Sequence, residues 1–205
     1  MALSPERLEA RRRNLVNAAH QLVRETGGAG FSMLQLAKRA GVSPATPYNL
    51  LGTKSEVLRR VIHDEFECFA ARLAGEAPRP PLAHLLHAVD LVAVHYTDEP
   101  DFYRGLYHAV LDTQASELRS MMSAEGQLLW CDMVRAALAA GELEPVIAAE
   151  ALTDLLLRMM GATVEAWLAE SWDPPRFARE MVRASRVLLL GLASPARRAE
   201  LLAEL

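Results

Sequence analysis

Cysteine is almost missing from this chain: Cys68 and Cys131 are the only two in 205 residues. They form neither a metal-ligand spacing nor a disulfide framework, so a reducing setting is expected and no metal or other cofactor is called for. No uncharged stretch approaches the length needed to span a bilayer. The first residues carry charges throughout and hold no apolar region of the signal-peptide kind. The expectation is a soluble, cytoplasmic protein with no membrane partner. Period-two alternation between turn signals is also lacking, which argues against a sheet. There is no internal repeat and no low-complexity tract. Lysine is scarce as well, and both copies, Lys38 and Lys54, fall near the front.

Charge is distributed unevenly. Residues 1–60 hold ten Arg and Lys against four acids, a net +6, so the remainder carries −10 within the total of −4. A basic segment on an otherwise acidic protein suits a phosphate-binding face, with the acidic remainder discouraging non-specific adhesion. For Arg11–Arg13 an ordinary solvated face serves equally well as a reading.

Helical signals cover the rest. Ser4-Pro5-Glu6 opens a long helix that Gly27-Gly28-Ala29-Gly30 stops. A helix from Thr53 continues past Phe66 to the Pro78-Arg79-Pro80-Pro81 run, taken as a hinge. Further helices are expected at about 81–97, 100–110, 112–140, 145–171 and 173–192, with starts at Pro81, Pro100, Asp112, Pro145 and Asp173-Pro174. Gly141 closes the longest, and Ser194-Pro195 opens a short terminal one. The predicted fold is all-α.

The segment with the most specific content is 32–56. Ser32 with Gln35 forms a capping box, so a helix can begin there with its free N–H groups satisfied. Leu34, Leu36 and Ala37 supply its apolar face. Gly41 sits where the chain must turn, a place that favours positive φ. Ser43 as N-cap and Pro44 at the first position then predict a second helix running to Leu51 and ending at Gly52. Pro47 conflicts with that helix, because it removes an early N–H; a local 3₁₀ turn would absorb it. Thr53 with Glu56 makes a second capping box and sets Lys54 at a helix N-terminus, where a phosphate can be held. Two short helices across a tight turn form a helix-turn-helix, whose second helix enters the DNA major groove.

These residues give seven candidate DNA contacts: Ser32, Ser43, Ala45, Thr46, Tyr48, Asn49 and Lys54. Short groups at 43, 45, 46 and 49 can approach base edges, with an amide at Asn49 suited to adenine and a methyl at Ala45 suited to thymine. Tyr48 can give its hydroxyl to a phosphate. Asn49 also reads as a plain exposed polar residue, and Tyr48 as a packing ring.

The segment Gly-Val-Ser-Pro-Ala-Thr-Pro-Tyr-Asn-Leu-Leu-Gly-Thr-Lys, together with the helix before it and the helical body after it, resembles the TetR family of bacterial transcriptional regulators. The likeness is strong over about residues 10–60 and rests on length and helix order beyond them. Leu50 and Pro47 depart from it, standing where the family often has a histidine and an aliphatic residue. It implies an N-terminal DNA-binding domain over 1–53 and an effector-binding, dimerising helical domain over 54–205. It further implies that Thr46, Tyr48 and Lys54 contact DNA, and that a cavity in the body takes a small molecule. Candidate pocket residues are His87, Leu91, Phe102, Tyr103, Tyr107, Met122, Trp130 and Met159, suited to a hydrophobic or aromatic effector; each also reads as core. One helix-turn-helix offers little contact area, so a homodimer on a palindromic double-stranded operator is expected. The last two long helices would pair, through Leu152, Leu156, Thr163, Trp167, Ala184 and Leu188, although burial within one chain explains the same stripe.

Other chemistries are weaker. His84, His87 and Asp90 share a helix face at i, i+3 spacing, which could hold a metal but is also ordinary amphipathic patterning. Ser116–Glu117 and Cys131–Asp132 lack an accompanying base, so no enzyme is expected. The reading is a ligand-responsive regulator, most simply a repressor. The alternative is a DNA-binding structural or adaptor protein whose acidic body docks a protein partner without any effector.

Overall fold

The computed structural model describes residues 4–111 and 116–203. Among them are ten helices: α1 Pro5–Thr26, α2 Met33–Arg39, α3 Thr46–Leu51, α4 Lys54–Ala74, α5 Pro81–Asp98, α6 Pro100–Leu111, α7 Ser116–Ala139, α8 Ala149–Glu170, α9 Pro174–Leu190 and α10 Pro195–Ala203. Strands are absent among the described residues apart from one isolated bridge between Leu143 and Ala193. The fold is all-α, as the patterning predicts. Asp112, the expected start of the longest helix, lies outside the described residues.

Local chemistry accounts for most helix ends. Five helices open on proline, whose missing N–H costs nothing in the first turn. Ser4 Oγ accepts from the Arg7 N–H at 3.4 Å and Asp173 Oδ1 from the Arg176 N–H at 2.7 Å. Gly27 and Gly141 take the left-handed conformation, φ 63° and 66°, that stops α1 and α7.

One start differs from expectation. Helix α8 begins at Ala149 rather than Pro145, because the backbone just before it is already paired elsewhere. Glu144 donates to the Leu192 carbonyl at 2.7 Å, and Ser194 donates to the Glu142 carbonyl at 3.0 Å.

The chain forms two compact units that do not divide at residue 53. One comprises the described residues within Met1–Phe66 and Asp101–Met122; the other comprises Glu67–Pro100 with the described residues of Ser123–Leu205. Helix α4 therefore runs from the first unit into the second. The proline run at 78–81 falls inside the second unit, where it leads directly into α5.

In the first unit, i, i+4 rows close the core: Leu15, Ala19 and Val23 on α1, and Val57 and Val61 on α4, all at zero exposure. In the second, α9 packs on both α5 and α8. Trp167 stacks on Phe177 with ring centroids 4.4 Å apart, and Tyr96 stacks on the same Phe177 at 6.0 Å. Phe69 and Trp130 stack at 6.2 Å.

Candidate nucleic-acid interface

Helix α2 starts as its sequence dictates. The Gln35 N–H donates to Ser32 Oγ at 3.2 Å and the Ser32 N–H donates to Gln35 Oε1 at 2.7 Å, a complete capping box. Its buried face is Met33, Leu36 and Ala37, an i, i+3, i+4 set; Leu34 points outward and is 64% exposed. The expected apolar face was thus one residue out of phase.

At the other end of α2, Gly41 adopts φ 66°, and a Cβ there would meet nothing within 4 Å. Backbone conformation alone therefore selects glycine. The Val42 N–H closes the turn on the Ala37 carbonyl at 3.0 Å, and Asn14 Nδ2 reaches across from α1 to the Ala40 carbonyl at 2.9 Å. Arg39 ties α2 to α1 through Glu25 and Gln21, and its hydrogen bond holds the Glu25 carboxyl below the usual carboxylate range.

Helix α3 is shorter than Ser43-Pro44 suggests. The chain first makes a turn, with the Thr46 N–H donating to the Ser43 carbonyl at 2.9 Å, and the helix begins at Thr46. That shift resolves the conflict at Pro47. It occupies the first turn of the helix, where its N–H would have no partner, and its ring is buried. Ser43 does not cap α3; its hydroxyl lies 2.8 Å from that of Thr46.

Ser32, Ser43, Ala45, Tyr48 and Asn49 are exposed, Tyr48 to 57%, while Thr46 and Lys54 are half-buried. Lys54 turns inward. Its Nζ donates to the Ala29 carbonyl and lies 5.0 Å from the centre of the Phe31 ring, and burial pushes the ammonium below its usual pKa. In this conformation it fastens the α1–α2 loop, a role that no local spacing announces. The Glu56 N–H donates to Thr53 Oγ1 at 3.3 Å, supplying the expected cap.

The rest of the first unit braces this platform. His20 on α1 lies 3.3 Å from Glu65 and 3.7 Å from Asp64 on α4, and its ring stacks on Phe102 of α6 at 5.7 Å. The Tyr103 hydroxyl donates to Glu65, and the Arg24 guanidinium sits 4.7 Å over the Phe102 ring. Backbone meets backbone between α6 and the loop after α1. A Cβ built on Gly105 would stand 2.3 Å from the Gly27 carbonyl carbon and 2.4 Å from the Gly28 nitrogen. Only glycine fits there.

The remaining candidates divide between the units. Phe102, Tyr103, Tyr107 and Met122 belong to the first; His87, Leu91, Trp130 and Met159 belong to the second. Phe102, Tyr103, Leu91 and Trp130 are buried, whereas His87, Tyr107, Met122 and Met159 keep partial exposure. His87 Nε2 lies 3.1 Å from Glu76, and Asp90 pairs with Arg186 at 3.6 Å. The histidine–aspartate face of α5 is therefore engaged in ion pairs.

The interface stripe divides too. Leu152, Leu156, Thr163 and Trp167 are between 0 and 8% exposed within the second unit by itself, which leaves them almost no surface to offer a second copy. Ala184 and Leu188 are half-buried. The residues that do face outward on α8 are Leu155, Arg158, Ala162 and Glu165.

No protein-family model and no curated protein matches the sequence. Solved structures do match, over nearly the whole chain. RolR, crystallised with the ligand resorcinol, superposes with a TM-score of 0.75 at 16% identity, covering 96% of this chain and 94% of its own. A TetR transcription regulator from Haloarcula marismortui gives 0.74 at 16% identity, over 91% and 100%. SmeT, the repressor of the Stenotrophomonas maltophilia multidrug efflux pump SmeDEF, gives 0.70 at 16% identity, over 90% and 91%. The fold is that of the TetR regulators. Within it the α2–turn–α3 unit is the helix-turn-helix, and α4 is the helix that leaves it. No helix among the described residues is long and apolar enough to cross a membrane.

Proposed function

We propose that this chain is a cytoplasmic transcriptional regulator, most simply a repressor, that binds an inverted-repeat operator as a homodimer and is released by a small molecule. One observation carries the reading. A rigid two-helix platform, braced by Asn14, Arg39 and the Lys54–Ala29 contact, presents the exposed Ser43, Ala45, Tyr48 and Asn49 on the net-positive front of an acidic chain. Phosphate contacts would set register, through the Tyr48 hydroxyl and the capped α2 N-terminus at Ser32. Asn49 and Ala45 would read base edges.

The outward residues of α8 with Ala184 and Leu188 of α9 offer the second copy a face of mixed small, apolar and paired charged groups. The titles of RolR, with resorcinol, and of SmeT, a repressor, support the effector and repression parts of the reading by analogy. The effector in this reading is hydrophobic or aromatic and binds the helical body. It acts by favouring one spacing of the two recognition helices, with α4 as the connecting rod. Release requires different affinity for the two spacings, and couplings of this kind are typically about 1–3 kcal/mol.

The test is an operator titration in the presence of aromatic probes such as resorcinol. A bound probe that weakens operator affinity about tenfold supports the reading. Operator affinity unmoved at saturating probe, across a panel of binders, removes the release mechanism.

A further inference from the structure

A second cleft lies wholly within the second unit, between the start of α5, the middle of α9 and the outer face of α10, with a volume of about 240 Å³. Its apolar part is Leu82, Leu86 and Leu201, all buried. Its polar part is ordered by depth. The cationic groups Arg186, Arg79 and Arg197 are 18, 31 and 33% exposed, whereas the carboxylates of Asp90 and Glu200 are 39 and 61% exposed. Cations therefore lie inside and acids at the rim, where water screens them more effectively.

The three arginines are not held alike. Arg197 is bound to the buried Glu142 by contacts of 2.5 and 3.0 Å and to Glu200 at 2.7 Å, so it belongs to the framework. Arg79 meets Glu76, and Arg186 meets Asp90, at 3.6 Å in both cases, longer than a hydrogen bond. These two guanidiniums can turn to a ligand without breaking a tight pair. Each presents a planar fork matched to a carboxylate.

We infer that this cleft is a binding site for a small monocarboxylate carrying a compact apolar group, held by Arg79 and Arg186 over the leucine floor. The small volume excludes drug-sized molecules. The rim acids Asp90 and Glu200 disfavour a dianion, whose second charge would be driven out toward them. The site is separate from the effector reading above and holds or fails independently of it.

Benzoate, neutral benzamide and dianionic phthalate are the probes, titrated against the full chain by calorimetry at low salt. Benzoate is expected to bind, with benzamide and phthalate each about tenfold weaker or more, the scale of one lost charge-assisted hydrogen bond. R79Q and R186Q should each weaken benzoate by a similar factor while the far-ultraviolet circular dichroism stays unchanged. Arg79 lies in the loop before α5 and is partly exposed, so R79Q decides the matter if R186Q fails to fold. Equal affinity for benzamide, benzoate binding that survives R79Q, or no benzoate binding at millimolar concentration would each overturn the proposal.

Discussion

Replacing Glu142 is the sharpest perturbation of the second unit. Its carboxylate is 8% exposed and accepts from the Leu82 N–H at 2.6 Å, 60 residues away, and from Arg197 Nη2 and Nε at 2.5 and 3.0 Å. Helix α5 opens on Pro80-Pro81 without a side-chain cap of its own, so Glu142 is its N-cap, supplied from the α7–α8 loop. Breaking a buried ion pair costs about 3–5 kcal/mol when the survivor stays buried. Arg197 is a third exposed and also meets Glu200, so water and that second acid offset part of the loss. We expect Glu142→Ala to cost about 2–4 kcal/mol, and Glu142→Gln, which keeps an acceptor for Leu82, about 1–2 kcal/mol.

For a chain of this size that is a fall in Tm of about 5–10 °C for the alanine variant. The assay is urea and thermal unfolding at fixed protein concentration. An acid series supplies an independent check. Burial raises the Glu142 pKa, but the Leu82 N–H and the Arg197 hydrogen bonds and charge outweigh it, leaving the group below its ordinary value. Its stabilisation is therefore fully present above the unfolded carboxylate range, about pH 4–5, and is lost as pH falls through the folded value. The gap between the native chain and Glu142→Gln should close below that range. A Glu142→Ala chain within about 0.5 kcal/mol of the native one at neutral pH, or a gap that persists in acid, refutes the reasoning.

Three further outcomes follow from the first unit. Gly105→Ala should lower stability by about 1–3 kcal/mol or more in chemical unfolding, because backbone atoms of Gly27 and Gly28 already occupy the place of the new methyl. Gly41→Ala should cost about 1–2 kcal/mol from its positive φ alone, since no atom crowds the site; a neutral effect would mean the turn relaxes. Asn49→Ala should leave the melting curve unchanged and weaken the best operator by about 1–3 kcal/mol, with a smaller loss on unrelated duplexes measured by fluorescence anisotropy.

How far these features were legible depended on the range of the interaction responsible. The Ser32–Gln35 box, the opening prolines and the stops at Gly27, Gly41 and Gly141 are local, and the structure keeps each of them. Ser43-Pro44 misled because a turn can satisfy the same groups as a helix start, and the burial of Pro47 settles which it is. Leu34 and Met33 are adjacent apolar residues, so only the phase of the other buried positions assigns Met33 to the core. Lys54 with Ala29, Gly105 with Gly27, and Glu142 with both Leu82 and Arg197 are separated by 25 to 78 residues. No spacing rule reaches that far. An apolar stripe such as Leu152–Leu156–Thr163–Trp167 has the same pattern whether α9 or a second copy covers it.

The most direct measurement of the central claim combines selection of bound duplexes from genomic fragments with sedimentation of the complexes. The account predicts recovery of an inverted repeat whose half-sites lie about one helical turn apart, bound by two chains, with affinity falling steeply as salt rises. A protein that stays monomeric on DNA and recovers no sequence above background at low salt would contradict it.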